Sequence, residues 1–576
     1  MSAVDRAPAR QSLLITLSLS VALSLLAALS ACKRTSAPPV PPPVADAAAQ
    51  RIRNDVATLA DDAMQGRETG TPGFERAADV VVARFRALGL QPAGDNGTFS
   101  QRVPLLKAVR LADGARLDVI RADRTIHLRF ADQYLPEPDF TAATNAVQAP
   151  AVFVGQGVSA TDIGHDDFAG LDVRGRIAVV LGGAPARLEN DRRAVLGSQV
   201  EKLRTLAARG AVGVIFVDTA EDEAQLPWAR RVAHRDRAAM RLRDADGHAI
   251  DALPQLRVVA RVSAAAADLL FDGSGHTAAE LATAARNGEL HGFALPVKLA
   301  LATRTRIAPI DSRNLLATLP GSDPALARQY VASSAHLDHL GVAPEAADAT
   351  GDRIFNGALD NALGVAIVLE AARQLHATGH APRRSLLFAA LTGEEQGLLG
   401  AQWLALHPPG RLVADINLDM PMLLAPTRDV VPIGASHSTL QGPLQRAAAD
   451  TALTLSPDPF PEESVFVRSD QYAFVRAGIP SLYLDGGVVP AASSAGKPAD
   501  ATTMPKLAQR DFLRRCYHQA CDDVHLPIQY GDAARLARLD ARLAWLIGND
   551  ADAPRWQPGD FFATPATPAA TAATAK

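Results

Sequence analysis

Three features of this 576-residue sequence predict an α/β fold built on a mixed sheet flanked by helices on both faces. The first is a set of strand-like pieces, the apolar runs 330–335 and 385–391 and the piece 414–420, which carries a carboxylate at its end. The two runs have strand length and lack the alternation of a half-exposed strand, as strands buried on both faces do. The second is the apolar-rich stretch 362–376, long enough for a helix, lying between the first two runs. The third is what ends each run: His336-Leu337-Asp338, then Glu394-Glu395, then Asp419. A strand end leading into a helix start is where an open α/β sheet places its ligands.

The chemistry of those ends is that of a metal site. One His-x-Asp is as often a solvated loop, and a Glu-Glu pair is ordinarily a helix start, since first-turn carboxylates suit the helix dipole. Here each acid instead follows an apolar strand. A His and an Asp on polar, glycine-bearing loops suit a borderline divalent cation. A two-metal site needs a bridging carboxylate, a mixed His/carboxylate set and a base that is not a ligand. His336, Asp360, Glu395, Asp419 and His518, with Glu394 as base, fill those places.

The ordered set HLD, GALDN, TGEEQGLLGA, NLDM, RSDQYAFVRAGIP and YHQACD resembles the co-catalytic zinc aminopeptidases. That clan also holds glutamate carboxypeptidases, glutaminyl cyclases and the transferrin-receptor ectodomain. The resemblance runs from about 51 to 549. It implies two zinc ions, with His336 and Asp419 on one, Glu395 and His518 on the other, and Asp360 bridging. It implies Glu394 as general base, Asp338 as the partner that fixes the His336 ring, and Tyr517 as a hydrogen-bond donor to the developing oxyanion. The reaction implied is release of an N-terminal residue from a peptide. Carboxypeptidase or cyclase action on the same metals is the alternative, and a non-catalytic binding module would lack the ligands that are present here. Gln471 stands where many relatives have His, at a position that is not a ligand. His165, His339 and His437 lie outside the motifs and are expected on the surface or in loops.

In chain order, Arg6 and Arg10 precede an apolar run, 13–31, that ends in Leu29-Ser30-Ala31-Cys32. A single membrane helix is one reading. Small residues leading into a lone Cys resemble a bacterial lipobox, so 1–32 is read as a lipoprotein signal peptide, with lipidation at Cys32. Either way the rest is expected to be exported, facing the periplasm or cell exterior. Residues 33–50, with PPVPPPV, are expected to form a stiff tether. The catalytic domain is expected over 51–148 and 299–549, opening with a helix pair and a loop, 51–106; the segment 66–94 resembles the first helices of the peptidase family. From 149 to 298 short β-rich runs separated by turns resemble the protease-associated domain. Residues 314–321 resume the catalytic domain as an edge strand, and 550–576 are expected to be a disordered tail.

Lys+Arg 58 against Asp+Glu 62 leaves a net charge of −4, with no basic stripe to suggest nucleic acid; the expected partners are peptides and, through Cys32, a membrane. Besides Cys32 there are only Cys516 and Cys521, flanking His518. Export permits a disulfide between them, and similar C-Y-H-x-x-C loops occur in secreted aminopeptidases that this chain resembles; two unpaired thiols are the alternative.

Overall fold

The computed structural model describes residues 44–343, 351–491 and 504–563. The signal segment with Cys32, the tether up to residue 43 and residues 564–576 lie outside the described residues. Val44–Leu59 is a helix, so the end of the expected tether is helical. Ala48, Ile52, Val56 and Leu59 are buried at helical spacing, and the Ala-rich start favours the conformation. Pro72–Ala87 follows, with Pro72 in its first turn, Thr71 Oγ1 accepting the Phe74 N–H and Gly89 beyond its end at φ +71°.

The site-bearing half is a parallel core. Gln329–His336 lies between Ser385–Leu391 and Arg411–Asn417, parallel to both, and Ser481–Asp485 extends the sheet parallel to Arg411–Asn417. All seven residues of Ser385–Leu391 are buried, which accounts for the unbroken apolar run. Alternate side chains feed two layers. Val331, Ala335, Leu386, Phe388 and Ala390 join the core formed with helices Leu363–Ala377 and Tyr530–Asn549. Ala332, Leu387, Ala389 and Leu391 pack on the opposite face with Leu404 of Leu399–Leu406 and Phe474 of Gln471–Arg476. Parallel strands point their carboxyl ends the same way, so His336, Leu391 and Asn417 finish on one edge.

Two long strands continue the sheet. Phe293–Leu319 pairs antiparallel with Ser385–Leu391 at one end and with Thr144–Phe153 at the other. Ser100–Ile120 runs beside it, so the expected loop before residue 106 is already strand by residue 100. With Ser385–Leu391 on one side and Ser100 and Gln91–Pro92 on the other, residues 315–319 are interior rather than an edge, because their hydrogen-bonding groups are occupied on both sides. The boundaries drawn at 148/149 and 298/299 fall within these continuous ladders. Beyond them Ile177–Leu181, Gly213–Val217 and Val258–Val262 form a second parallel stretch, edged by antiparallel Tyr134–Pro136. Their side chains fill separate apolar clusters.

The expected disordered tail is structured as far as residue 563. Trp556 Nε1 donates to the Gly478 carbonyl at 3.0 Å, and Phe562 is 5% exposed, 5.1 Å from the Phe466 ring. One buried and one half-buried aromatic side chain outweigh the polar, proline-bearing composition around them.

Candidate metal centre

At the carboxyl edge of the parallel core the sheet ends in acids and histidines with almost no compensating charge. His336, the last residue of its strand, is 1% exposed. Its Nε2 lies 2.9 Å from Asp419 Oδ1 and 3.3 Å from Asp360 Oδ1. Asp360 turns its other oxygen to a second group: Oδ2 is 3.4 Å from His518 Nε2 and 3.8 Å from His339 Nδ1. Glu395 Oε1 lies 2.8 Å from His339 Nδ1, and Oε2 lies 3.3 Å from His518 Nε2. Ligand atoms of His336, Asp360 and Asp419 converge within 4.8 Å of one another, as do those of His339, Asp360 and Glu395. One carboxylate shared between two such groups is the arrangement that two neighbouring cations require.

The titration of these groups points the same way. Burial alone would depress the His336 ring, yet Asp419 and Glu394, with hydrogen bonds to Asp360 and Asp419, hold it well above its usual range. His518 is raised against burial chiefly by Glu395 and Asp360. Burial would raise Asp360, but His339 and the bonds to His336 and His518 bring it well below the ordinary carboxylate range. Histidines drawn toward protonation by crowded carboxylates occupy an electrostatic place that divalent cations fill. The donor set therefore fits the group that the sequence implied.

The supporting bonds place these atoms. Leu359 and Asp360 N–H donate to the two oxygens of Asp522, at 2.8 and 3.0 Å. Asn361 Nδ2 donates to the Leu418 carbonyl at 2.9 Å, and its Oδ1 accepts from Met420 N at 3.2 Å, joining the two acid-bearing loops. The Tyr483 hydroxyl donates to the Asp419 carbonyl. Gly357, at φ +59°, has no alternative, since a Cβ would meet the Asp360 carbonyl at 2.2 Å and the His339 ring at 2.7 Å. Arg67 is wholly buried and donates to the carbonyls of Leu59, Leu337, Asn356 and Gly357, tying the helix pair to both ligand loops. Burial lowers its guanidinium to about 10, with Asp522 the largest opposing charge.

Asp338 is placed differently from expectation. Its backbone carbonyl lies 3.0 Å from His336 Nδ1, while its carboxylate, 4.0 Å from that nitrogen, accepts from Glu394 N, Glu395 N and Thr69 Oγ1 at 3.1, 3.3 and 3.0 Å. A buried carboxylate settles where several donors are free, and the turn after Ser385–Leu391 offers two. Asp338 thus sets the Glu394-Glu395 pair, and its main chain sets the His336 ring. The Glu394 carboxyl is held well above its usual range by burial and then by Asp419, Glu395 and Asp470, outweighing His336. Burial and the acids Asp360, Glu395 and Glu394 keep the Tyr517 phenol protonated, and its ring lies 3.8 Å from that of His518. Cys516 and Cys521 are joined in a disulfide, Cα atoms 5.2 Å apart, around these two residues.

His339, expected on a surface, is 1% exposed and sits among the ligands. Its place in HLDHLG, one turn past the strand end, was the available signal. Asp522 and Arg67 also went unread as site residues, because each acts through backbone groups distant in sequence. His437 is half-buried, against Asp560 at 2.7 Å and Asp191 at 3.5 Å, and His165 pairs with Asp167 at 3.1 Å, so neither is a free surface ring. Gln471 is buried and accepts from Asn417 Nδ2 at 2.7 Å, a structural bond away from the metal ligands.

Comparison with known proteins agrees with this chemistry. Residues 314–544 match the sequence profile described as Peptidase family M28. A probable zinc metalloprotease of Pyrenophora tritici-repentis is 42% identical over 118 residues, 20% of this chain and 25% of that protein. Leupeptin-inactivating enzyme 1 of Streptomyces exfoliatus is 27% identical over 253 residues, 43% of this chain and 51% of that one. The chain spans about a quarter of the length of the first curated relatives it matches. Among solved structures, an aminopeptidase from Aneurinibacillus sp. strain AM-1 aligns with TM-score 0.49 at 18% identity, covering 88% of this chain and 95% of that one. A Peptidase M28 precursor from Shewanella amazonensis aligns with TM-score 0.42 at 16% identity, covering 89% and 98%. The segment that matches the Peptidase family M28 profile, 314–544, contains every metal-ligand candidate.

Proposed function

We propose that the protein is an exported two-zinc exopeptidase that removes N-terminal residues from peptides. The observation that carries this is Asp360, whose two oxygens face His336 with one and His518 with the other. His336 and Asp419 would hold one zinc, Glu395 and His518 the other, and Asp360 would serve both. The ions supply positive charge that polarises the scissile carbonyl and makes water more acidic. Glu394, supported through its N–H by Asp338, accepts a proton from the attacking water and returns it to the departing amine. Tyr517, kept as a phenol, donates to the oxygen on which charge develops. His339, 2.8 Å from Glu395 Oε1, orients that carboxylate toward its ion.

The two-part layout, a catalytic domain over 51–148 and 299–549 and a protease-associated insert over 149–298, is part of this proposal; an apolar cluster drawn mainly from 149–298 supports it, although Leu117, Val119, Leu128, Tyr134, Leu299 and Leu301 also join that cluster. Export with a lipid at Cys32 rests on Arg6, Arg10, the apolar run and Leu29-Ser30-Ala31-Cys32. Metal analysis of purified protein tests the first claim, with two zinc ions per chain expected and activity lost to a chelator. A panel of aminoacyl-nitroanilides against dipeptides ending in glutamate separates aminopeptidase from carboxypeptidase action. Activity in fully metal-free protein would refute the zinc mechanism. Labelled fatty acid that is incorporated by the parent and not by Cys32→Ser tests the anchor.

A further inference from the structure

Away from the metal centre, His437 faces carboxylates from two distant stretches of the chain. It closes the short turn Ala435–His437. Its Nδ1 lies 2.7 Å from Asp560 Oδ2 in the C-terminal segment. Its Nε2 lies 3.5 Å from Asp191 Oδ2, in the first turn of the helix Asn190–Gly197. The ring stacks on Phe466 at 4.9 Å and meets Phe562 edge-on at 5.0 Å, so its plane is fixed with one nitrogen toward each acid. Among the described residues neither Asp191 nor Asp560 pairs with any other cation.

The two acids are fastened to the turn unequally. The C-terminal segment is held by main-chain bonds: Gln557 N donates to the His437 carbonyl and Thr439 N to the Arg555 carbonyl, both at 2.8 Å. The helix Asn190–Gly197 has less. Val195 joins the apolar cluster of Phe466 and Phe562, and the Ser464 hydroxyl reaches the Asn190 carbonyl only at 3.5 Å. The other charges on this helix are occupied elsewhere. Glu189 caps it, Arg192 pairs with Asp162, and Arg193 donates to Asn190 Oδ1 at 3.0 Å. Asp458 feels the charges of Asp191, Glu462 and Glu463, so the surroundings of Asp191 are acidic. Phe466 and Phe562, which cover the His437 ring, carry no charge.

A carboxylate only accepts hydrogen bonds, and a neutral imidazole has a single N–H. Both contacts are therefore filled only when the ring carries two protons. Burial alone would lower the ring, but Asp191 and Asp560 outweigh it and raise it above its ordinary range.

We propose that His437 is a pH-sensitive clasp, which holds the helix Asn190–Gly197 against the turn 435–437 when doubly protonated and releases it when neutral. On deprotonation one proton passes to water. The remaining N–H stays with Asp560, the closer acid, and the Nε2 lone pair then faces Asp191 Oδ2, where nothing holds the carboxylate. A raised histidine contributes in full below its unfolded value, about 6.5, and the contribution is lost as pH rises through the folded value. The clasp is independent of the metals and of the peptidase reading.

Hydrogen–deuterium exchange of the full-length protein, followed from about pH 5.5 to about pH 8.5 and corrected for intrinsic amide exchange, tests this. In the parent, protection of 190–197 is expected to fall about tenfold across the range, with 555–557 changing less. His437→Gln and Asp191→Asn are each expected to flatten the profile near the parent's high-pH level. Protection in the parent that does not change with pH, or a slope retained in His437→Gln, would overturn the proposal. A slope retained in Asp191→Asn would place the titration on the Asp560 contact and overturn the clasp as well. Asp191→Asn leaves the ring stack of His437 in place, so it carries the test if His437→Gln loosens the turn.

Discussion

Asp218 and Asp419 look alike in sequence and serve opposite ends. Each lies just past a buried parallel strand, Gly213–Val217 and Arg411–Asn417 respectively. Asp218 is answered by Arg261 at 2.7 Å and Arg231 at 3.2 Å, and the neighbouring buried Lys202 caps the Leu181 and Gly183 carbonyls at 3.1 and 2.5 Å. Among the described residues Asp419 pairs only with His336, which it shares with Asp360, and Glu394 and Asp470 lie within its field. A strand-end acid with arginines is a structural ion pair; one among other acids and histidines calls for cations from outside. The counter-charge, rather than the acid, separates the two regions.

The largest effect that sharpens this contrast is expected at Glu394. Glu394→Gln should retain both metals and lower kcat by about 10³-fold or more, given the work a general base does. Glu395→Ala should lose one metal and Asp360→Asn both. Metal content beside steady-state kinetics decides between them, and exchanged phenotypes within the Glu-Glu pair would reverse their roles.

The surroundings of Asp218 should respond in stability alone. Asp218→Asn leaves Arg261 and Arg231 without their carboxylate, and a loss on the order of 2–4 kcal/mol is expected with zinc content unchanged. Thermal unfolding with metal analysis measures both; a change in zinc stoichiometry would break the separation. At the site's rim, Cys516→Ser opens a small loop, so a loss of about 2 kcal/mol is expected. Because the loop carries Tyr517 and His518, zinc affinity should weaken as well, read by competition with a chelator.

The smallest effect is expected beneath the site, at Asp540, which accepts from Ser333 Oγ at 2.8 Å and whose second oxygen has no hydrogen-bond partner among the described residues. Burial raises it to about 7, so the folded state holds its proton after the unfolded chain has released it. Its contribution is therefore fully present below about pH 4 and lost as pH rises toward 7. Asp540→Asn should flatten that decline and gain about 1 kcal/mol near pH 8, partly offset by an unpaired amide. Denaturant titrations from pH 4 to 8 give the slope, and an unchanged slope would show that Asp540 is ionised in the fold.

The sequence by itself determined the parallel core and the acids at its edge. Strands buried on both faces are mostly apolar, and an acid or histidine at the end of such a strand is conspicuous, as at His336, Glu395 and Asp419. Tertiary structure decided the rest, since it depends on atoms far apart along the chain. His339 reads as a loop residue until Glu395, 56 positions on, closes on it. Arg67 shows its purpose only once carbonyls near 337 and 357 converge on its guanidinium. The ordered stretch 550–563 depends on Phe466 and Gly478, which no local pattern places beside it. Periodicity and side-chain chemistry are local properties and can be read along the chain; the partner of a buried charge is set by packing, which only the folded chain defines.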